Sequence, residues 1–294
     1  MTERLPPWDP TDLPGLLQLE PIGPLRYRNR FGDPNNNGRS YGGQLVAQAL
    51  MAASQTVPDD RPVTAIQFLF LQGAFCDVPL EFDVTVLQDG KRFSSRHVRA
   101  AHPGGRAVLD AHVTYAVPLE SPSHTVPSTA MEKPEDLPAL TDLPRSYAEP
   151  LNAVGSYALN QVACLDFRIV RPEGFSSSGL GAPRGRFWLR CKMQSDDARV
   201  HEGAFAYASD WWMNFSAIGA HVPELLAANR SLYVASLNHA IWFHRPFRAD
   251  QWLHFDTESA VAERGRGLAF ARYFDSTGQL VATVSQEALM TYKT

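Results

Sequence analysis

The first half of the chain is organised around one run of residues, Gly43-Gln44-Leu45-Val46-Ala47-Gln48-Ala49-Leu50-Met51-Ala52-Ala53-Ser54. Apolar side chains surround this run almost completely, whereas a helix on a protein surface carries them along one stripe. The pattern therefore predicts a helix that is buried on most of its surface.

Four strand-like runs follow this helix. In the second run, Phe82, Val84 and Val86 alternate with polar residues, the period-two pattern of a strand with one face exposed to solvent. The turn Pro103-Gly104-Gly105 precedes the fourth run. The predicted strands are Thr64–Leu71, Leu80–Gln88, Phe93–Ala101 and Ala107–Val117.

The second half of the chain repeats this order of elements. A displacement of 173 positions places Phe70 on Phe243 and, after a short insertion that later cancels, Gly105 on Gly278. The identity is low, so the shared order of elements is the stronger support for a repeat. The predicted elements are a helix near Asp210–Ala220 and the strands Tyr233–His244, Trp252–Ala262, Gly267–Phe274 and Leu280–Tyr292.

A proline-rich segment separates the two halves. Seven prolines fall between Pro118 and Pro150, and proline interrupts both helices and strand ladders. We therefore predict an N-terminal unit over residues 1–117, a linker over 118–155 and a C-terminal unit over 156–294.

One buried helix per half, followed by long antiparallel strands, predicts an α+β fold. Each half wraps a sheet around its helix, and two such sheets side by side form one continuous sheet. This arrangement is a double hotdog. A doubly wound parallel sheet is disfavoured because helices do not alternate with strands.

The composition indicates a globular cytoplasmic protein. The net charge is -4 and no basic block occurs, which argues against a nucleic-acid partner. No stretch has the roughly 18 continuous apolar residues of a membrane span, and residues 1–7 do not resemble a signal peptide. Three scattered cysteines, Cys76, Cys164 and Cys191, suit a reducing compartment and form no disulfide framework.

Four motifs resemble those of the type II (TesB-like) acyl-CoA thioesterase family, and they cover both halves in order. The resemblance implies a double hotdog fold and the hydrolysis of acyl-CoA to free fatty acid and CoA without a cofactor. It also implies oligomers, which we expect to be homodimers or homotetramers. The motifs are Arg39-Ser40-Tyr41-Gly42-Gly43-Gln44-Leu45-Val46-Ala47-Gln48-Ala49-Leu50, Leu87–Arg96, Ser236–Phe247 and Val281–Glu287.

The resemblance implies three catalytic residues: Asp210, Ser236 and Gln286. A carboxylate accepts the proton of an attacking water, and a general base of this kind contributes ~10²–10⁴-fold. An amide and a hydroxyl orient that water. Our hypothesis is that Asp210, expected at a helix start, activates water held by Gln286 and Ser236. An Asp at a helix start is otherwise most often an N-cap.

Substrate contacts are expected at Gly42, Gly43 and His239. A helix N-terminus presents unpaired N–H groups that can bind an oxyanion, and glycine lets substrate approach them closely. No metal site is expected. His97, His102 and His112 have no recognised ligand spacing, and we interpret them as structural or exposed.

The repeat predicts one hydrolytic centre per chain. At the displacement of 173, Ser236 corresponds to Val63 and Gln286 to Val113, while Asp210 corresponds roughly to Gly43. The polar residues of the second half are thus apolar or absent in the first half.

Two alternatives stay open. Gly38-Arg39-Ser40-Tyr41-Gly42 matches the G-x-S-x-G motif of α/β-hydrolases, although residues 32–37 before it form a loop and no strand. A hotdog protein can also act as a hydratase or dehydratase, for which His239 or His112 would be recruited, or as a non-hydrolytic acyl-CoA-binding module. Release of thiol from acyl-CoA distinguishes hydrolysis from binding alone.

Overall fold

A computed structural model describes residues 4–35, 38–128, 132–139, 142, 163–170 and 184–293. Twelve strands form a single antiparallel sheet in the spatial order β1-β2-β4-β5-β6-β3-β9-β12-β11-β10-β8-β7. The strands are β1 Leu19–Gly23, β2 Arg26–Asn29, β3 Val63–Phe70, β4 Glu81–Asp89, β5 Phe93–Ala101, β6 Ala107–Ala116, β7 Leu165–Ile169, β8 Arg184–Cys191, β9 Leu232–Phe243, β10 Leu253–Glu263, β11 Arg266–Phe274 and β12 Leu280–Tyr292.

The helices pack against one face of this sheet. They are α1 Leu13–Leu17, α2 Gly42–Ser54, α3 Ala198–Ser209, α4 Phe215–Gly219 and α5 Val222–Ala227, and a 3-10 turn covers Pro134–Asp136. No helix within the described residues has the length and apolar character that a membrane crossing requires.

Helix α2 is buried as its sequence predicts. Val46, Ala47, Ala49 and Leu50 are completely inaccessible to solvent. It crosses α3 with the two helices antiparallel, because Gly43 lies beside Tyr207 at one end and Met51 lies beside Gly203 at the other. One central helix per half on a continuous antiparallel sheet confirms the double hotdog.

The repeat is more regular than the sequence indicates. Gln67 of β3 pairs with Ala240 of β9, 173 positions later, at the junction of the halves. The pair Ile66–Val113 likewise becomes His239–Gln286. The strand pairings over residues 63–116 recur over residues 236–289 with this one displacement, and the register shifts recur at equivalent positions. The insertion that we expected within these strands is therefore wrong.

The prediction for the second central helix is wrong. Helix α3 occupies Ala198–Ser209 and ends where the predicted helix near Asp210–Ala220 begins, and only the short α4 lies in that range. The start signal is Asp197, whose side chain accepts a hydrogen bond from the Arg199 N–H. The sequence analysis also missed β1, β2, β7 and β8. Of the predicted linker 118–155, residues 118–128, 132–139 and 142 are described, including the 3-10 turn Pro134–Asp136, and the remainder lies outside the described residues.

Candidate active site

Asp210 follows the last turn of α3, which corrects its predicted place at a helix start. An acidic group at a helix C-terminus is disfavoured by its own helix dipole, but this one faces the positive N-terminus of α2. A methyl group at Gly42 would lie 2.5 Å from Asp210 Oδ2. The other oxygen, Oδ1, is buried and has no hydrogen-bond partner among the described residues.

The N-terminus of α2 has no side-chain cap. Tyr41 occupies the N-cap position, yet its side chain makes no capping bond and its hydroxyl donates to the Tyr207 carbonyl oxygen at 3.1 Å. The first amide groups of a helix have no acceptor within the helix. Those of α2 therefore offer donors beside the Asp210 carboxylate, whereas Asp197 caps the corresponding end of α3.

Ser236, Gln286 and His239 form a hydrogen-bonded chain. Gln286 Nε2 donates to Ser236 Oγ at 2.7 Å, and Gln286 Oε1 lies 2.5 Å from His239 Nδ1. His239 Nε2 lies 2.9 Å from Ser209 Oγ. Because Gln286 Oε1 only accepts, a neutral His239 carries its proton on Nδ1, and its Nε2 accepts from Ser209 Oγ, whose one hydroxyl proton also faces the Ala206 carbonyl oxygen at 2.9 Å. The hydroxyl proton of Ser236 is then left to donate elsewhere.

Burial keeps His239 neutral. Desolvation lowers the pKa of this completely inaccessible imidazole, and the nearby Asp210 charge and the Gln286 hydrogen bond oppose that shift. A neutral imidazole with a fixed tautomer orients the Gln286 amide. His239 therefore acts on the site through Gln286.

A β-bulge turns Ser236 toward this chain. The pairing of β9 with β12 shifts between Glu287 and Ala288, so Ser236 is opposite Ala288, which is buried under the helices. Without the extra residue Leu237, Ser236 would point away from Gln286 because side chains alternate along a strand. The same irregularity occurs in half one, between Val63 and Ala65.

A cavity of about 840 Å³ joins the two halves at this point. Asp210 and Ser236 line it from the C-terminal half, and Tyr41, Gly42 and Phe70 line it from the N-terminal half. Gln286 is completely buried and reaches the cavity through Ser236. The structure thus brings the three predicted catalytic residues into one neighbourhood.

Two predicted substrate contacts lie behind the cavity wall. His239 is buried in the hydrogen-bonded chain, and Gly43 packs against α3, where a Cβ would overlap the carbonyl oxygen of Tyr207. Gly42 does line the cavity. Sequence reasoning missed Asn214, a buried cavity-lining residue whose Oδ1 has no partner among the described residues. Its position four residues after Asp210 is the only feature of the sequence that could have indicated it.

Half one has no equivalent of this constellation. Val63, Ile66 and Val113 occupy the positions of Ser236, His239 and Gln286, and all three are buried. The residue after α2 is Gln55, the counterpart of Asp210 after α3, so the expected correspondence of Asp210 with Gly43 is wrong.

Ser40 does not stand on a nucleophile elbow. It lies in the loop before α2, where its N–H donates to the Ala74 carbonyl oxygen and it forms an isolated bridge with Pro34. The single antiparallel sheet contradicts the α/β-hydrolase alternative, because that fold requires a parallel strand leading into the serine.

Comparison with known proteins identifies the family and supports the fold. The family model described as acyl-CoA thioesterase C-terminal domain matches residues 134–290, and that of the acyl-CoA thioesterase N-terminal domain matches residues 32–116. The chain belongs to the acyl-CoA thioesterase family. The resemblance to type II (TesB-like) members is thereby confirmed.

Individual thioesterases match over nearly the whole chain. Acyl-coenzyme A thioesterase 8 of Mus musculus is 30% identical over 95% of this chain and 88% of its own length. Acyl-CoA thioesterase 2 of Haemophilus influenzae is 31% identical over 94% of this chain and 96% of its own. The crystal structure of acyl-CoA thioesterase II TesB2 from Mycobacterium marinum superposes with a TM-score of 0.78 at 30% identity, covering 96% of this chain and 99% of that one.

Proposed function

We propose that this protein hydrolyses acyl-CoA thioesters to a free acid and CoA, with Asp210 as the general base. Family membership supports the substrate class. The observation that carries the chemistry is that the Asp210 carboxylate and Ser236 line one cavity, while Asp210 Oδ1 has no hydrogen-bond partner among the described residues. A carboxylate oxygen in that position accepts a hydrogen bond from a water molecule.

The proposed reaction has two steps. Water attacks the thioester carbonyl as Asp210 takes its proton, so that a C–O bond forms and the carbonyl oxygen becomes an oxyanion. The N–H groups at the start of α2, beside Gly42, stabilise that charge. The intermediate then collapses, the C–S bond breaks, and the proton on Asp210 passes to the leaving CoA thiolate.

Ser236 and Gln286 position the water in this scheme. The Gln286 amide fixes the Ser236 hydroxyl oxygen, which leaves the hydroxyl proton to point at the nucleophile. His239 holds the amide of Gln286 in the required orientation. Neither Ser236 nor Ser40 forms a covalent intermediate, because the base acts on water.

A panel of acyl-CoA substrates tests the proposal. Saturated acyl-CoAs of increasing length, octanoyl- and decanoyl-CoA among them, are incubated with the full chain while a thiol-reactive dye reports CoA release. We expect stoichiometric thiol release and, in ¹⁸O-labelled water under single-turnover conditions, one heavy oxygen in the acid. Binding of these substrates without thiol release would instead favour a non-hydrolytic acyl-CoA-binding module.

We further infer a homo-oligomer, a dimer or a tetramer, in the cytoplasm. In the C-terminal half, the sheet face opposite the helices exposes the large apolar side chains Trp242 and Phe270. Exposed apolar side chains on an open sheet face favour self-association. Light scattering coupled to size exclusion measures the state, and a monomer at micromolar concentration would contradict it. The three free cysteines suit a reducing compartment.

A further inference from the structure

Two histidines and an aspartate converge on the outer face of the sheet, away from the helices. We propose that His97, Asp110 and His112 bind one divalent transition-metal ion, such as Zn²⁺ or Co²⁺. One nitrogen or oxygen atom from each of the three lies within 4.8 Å of the others. The proposal is independent of the hydrolytic site.

Strand register creates this cluster. His97 of β5 pairs directly with His112 of β6, and Asp110 lies two residues before His112. Residues two apart on a strand share a face, so all three side chains project from the same side. The strands fix the three Cα positions, which leaves only side-chain rotations to be adjusted on binding.

The distances suit a common ion. His97 Nε2 lies 2.9 Å from Asp110 Oδ2, and His112 Nε2 lies 4.0 Å from Asp110 Oδ1. Metal–ligand bonds of about 2.0–2.2 Å place neighbouring tetrahedral ligands ~3.3 Å apart. The two contacts use different oxygens of Asp110, so rotation about the χ angles of His112 and Asp110 must bring one oxygen within reach of both imidazoles to complete the site.

The donor set selects the kind of ion. Imidazole nitrogen suits Zn²⁺, Cu²⁺, Ni²⁺ and Co²⁺, whereas Mg²⁺ and Ca²⁺ prefer oxygen ligands. The His112 side chain is 58% exposed and those of His97 and Asp110 are 27% and 29% exposed. An ion can therefore enter from solvent, and water can complete its coordination.

The fold itself does not require these residues. The repeat places Phe270, Thr283 and Ser285 at the positions of His97, Asp110 and His112, and Phe270 pairs with Ser285 in the same way. The second half thus builds the same strands with no ligand. A histidine pair with a carboxylate is a property of this half alone.

Nearby charges are balanced around the cluster. Arg99, the nearest cation by register, is opposite Asp110 on one side and Asp83 on the other. The simpler role for His97 and Asp110 is the 2.9 Å hydrogen bond between their side chains. If His97 and Asp110 only bond to each other, the cluster has no affinity for metal. Titration with metal therefore distinguishes this structural role from a metal site.

The site acts on stability and not on hydrolysis. Strand β6 lies three strand spacings from β12, or ~14 Å, and the ligands project from the face opposite Gln286. An ion that binds only the folded chain raises the melting temperature by mass action. We expect it to join β5 and β6 without contacting Asp210.

Titration with Co²⁺ tests the proposal on the full chain after removal of metal with a chelator. We expect one ion per chain, a visible d–d absorption band, and a rise in melting temperature with Zn²⁺ or Co²⁺ but not with Mg²⁺. The single variants His97→Ala, His112→Ala and Asp110→Asn should each weaken binding by ~10-fold or more, since even outer partners of metal ligands contribute 10–100-fold. His124→Ala, which removes an exposed histidine outside the cluster, should bind as the wild type does.

Two results would overturn the assignment: no stoichiometric binding by the wild-type chain, or equal affinity in the double variant His97→Ala/His112→Ala. Circular dichroism and unchanged thiol release from acyl-CoA establish that each variant is folded. Should His97→Ala fail to fold, the more exposed His112 still gives the test. Residual binding that persists in every variant would show an adventitious histidine contact and also contradict the site.

Discussion

Gly42 offers a sharp test of the geometry at the catalytic carboxylate. In the variant Gly42→Ala, the new methyl group would lie 2.5 Å from Asp210 Oδ2 and 3.3 Å from the ring of Phe70. Ordinary contact begins at 3.4 Å, so the carboxylate must retreat by about 0.9 Å. A misplacement of ~1 Å at a reacting group costs about 10²-fold in rate. We therefore expect kcat to fall by ~10²-fold.

The folding of this variant should be intact, because Gly42 has no left-handed φ and the overlap of 2.5 Å involves the flexible end of the Asp210 side chain. The thiol-release assay gives kcat and KM, and thermal unfolding gives the melting temperature. Gly90→Ala is the matched control, since its methyl group would meet its nearest neighbours at 3.5 and 3.6 Å. Wild-type kcat in Gly42→Ala, with the melting temperature unchanged, would refute the placement of Asp210 against α2.

Two further predictions concern the hydrogen-bonded chain and a buried acid. Gln286→Leu removes the hydrogen-bond donor to Ser236. Because the water then loses its orientation, kcat should fall by ~10²-fold with the protein still folded. The thiol-release assay measures kcat, and an unchanged value would exclude the positioning role of Gln286. Burial raises the pKa of Asp33 to about 6, and the Tyr207 hydrogen bond opposes the shift. A raised carboxyl pKa favours the folded state at low pH, so this contribution is lost as pH rises from about 4 through 6. Asp33→Asn should remove about 3 kcal/mol of that pH dependence, at 1.36 kcal/mol per pKa unit. Urea unfolding across this range measures it, and parallel curves for variant and wild type would contradict the prediction.

Local patterns predicted the repeated part of the fold. Helix α2 is apolar almost all round, and the ends predicted for β3–β6 and β9–β12 differ from the observed ones by about one residue. Strands β1 and β2, at one end of the sheet, are short, and Pro21 obscures the pattern of β1. Helix α3 was misplaced because Asp210 was expected at a helix start, whereas the Asp197 cap starts the helix earlier.

The candidate site was predictable only in part. Motif resemblance implied Asp210, Ser236 and Gln286, but the sequence does not reveal that Asp210 faces the helix of the other half. That contact depends on how α2 and α3 cross. The β-bulge that turns Ser236 toward Gln286 also depends on the pairing of β9 with β12, and these two residues are 50 positions apart in the chain.

The cluster of His97, Asp110 and His112 was missed for a related reason. Along the chain, these three residues show no recognised metal-ligand spacing. They meet only because β5 and β6 pair with His97 opposite His112. Cross-strand neighbours become visible once the register is known.

The kinetics of Asp210→Asn test the general-base role most directly. Thiol release by this variant is compared with that of the wild type and of Asp136→Asn, which changes an exposed acid in the 3-10 turn. Loss of the base predicts a kcat lower by ~10²–10⁴-fold with KM little changed, because the amide still fills the same space beside Gly42. A variant that turns over at the wild-type rate would contradict the assignment of Asp210 as the group that activates water.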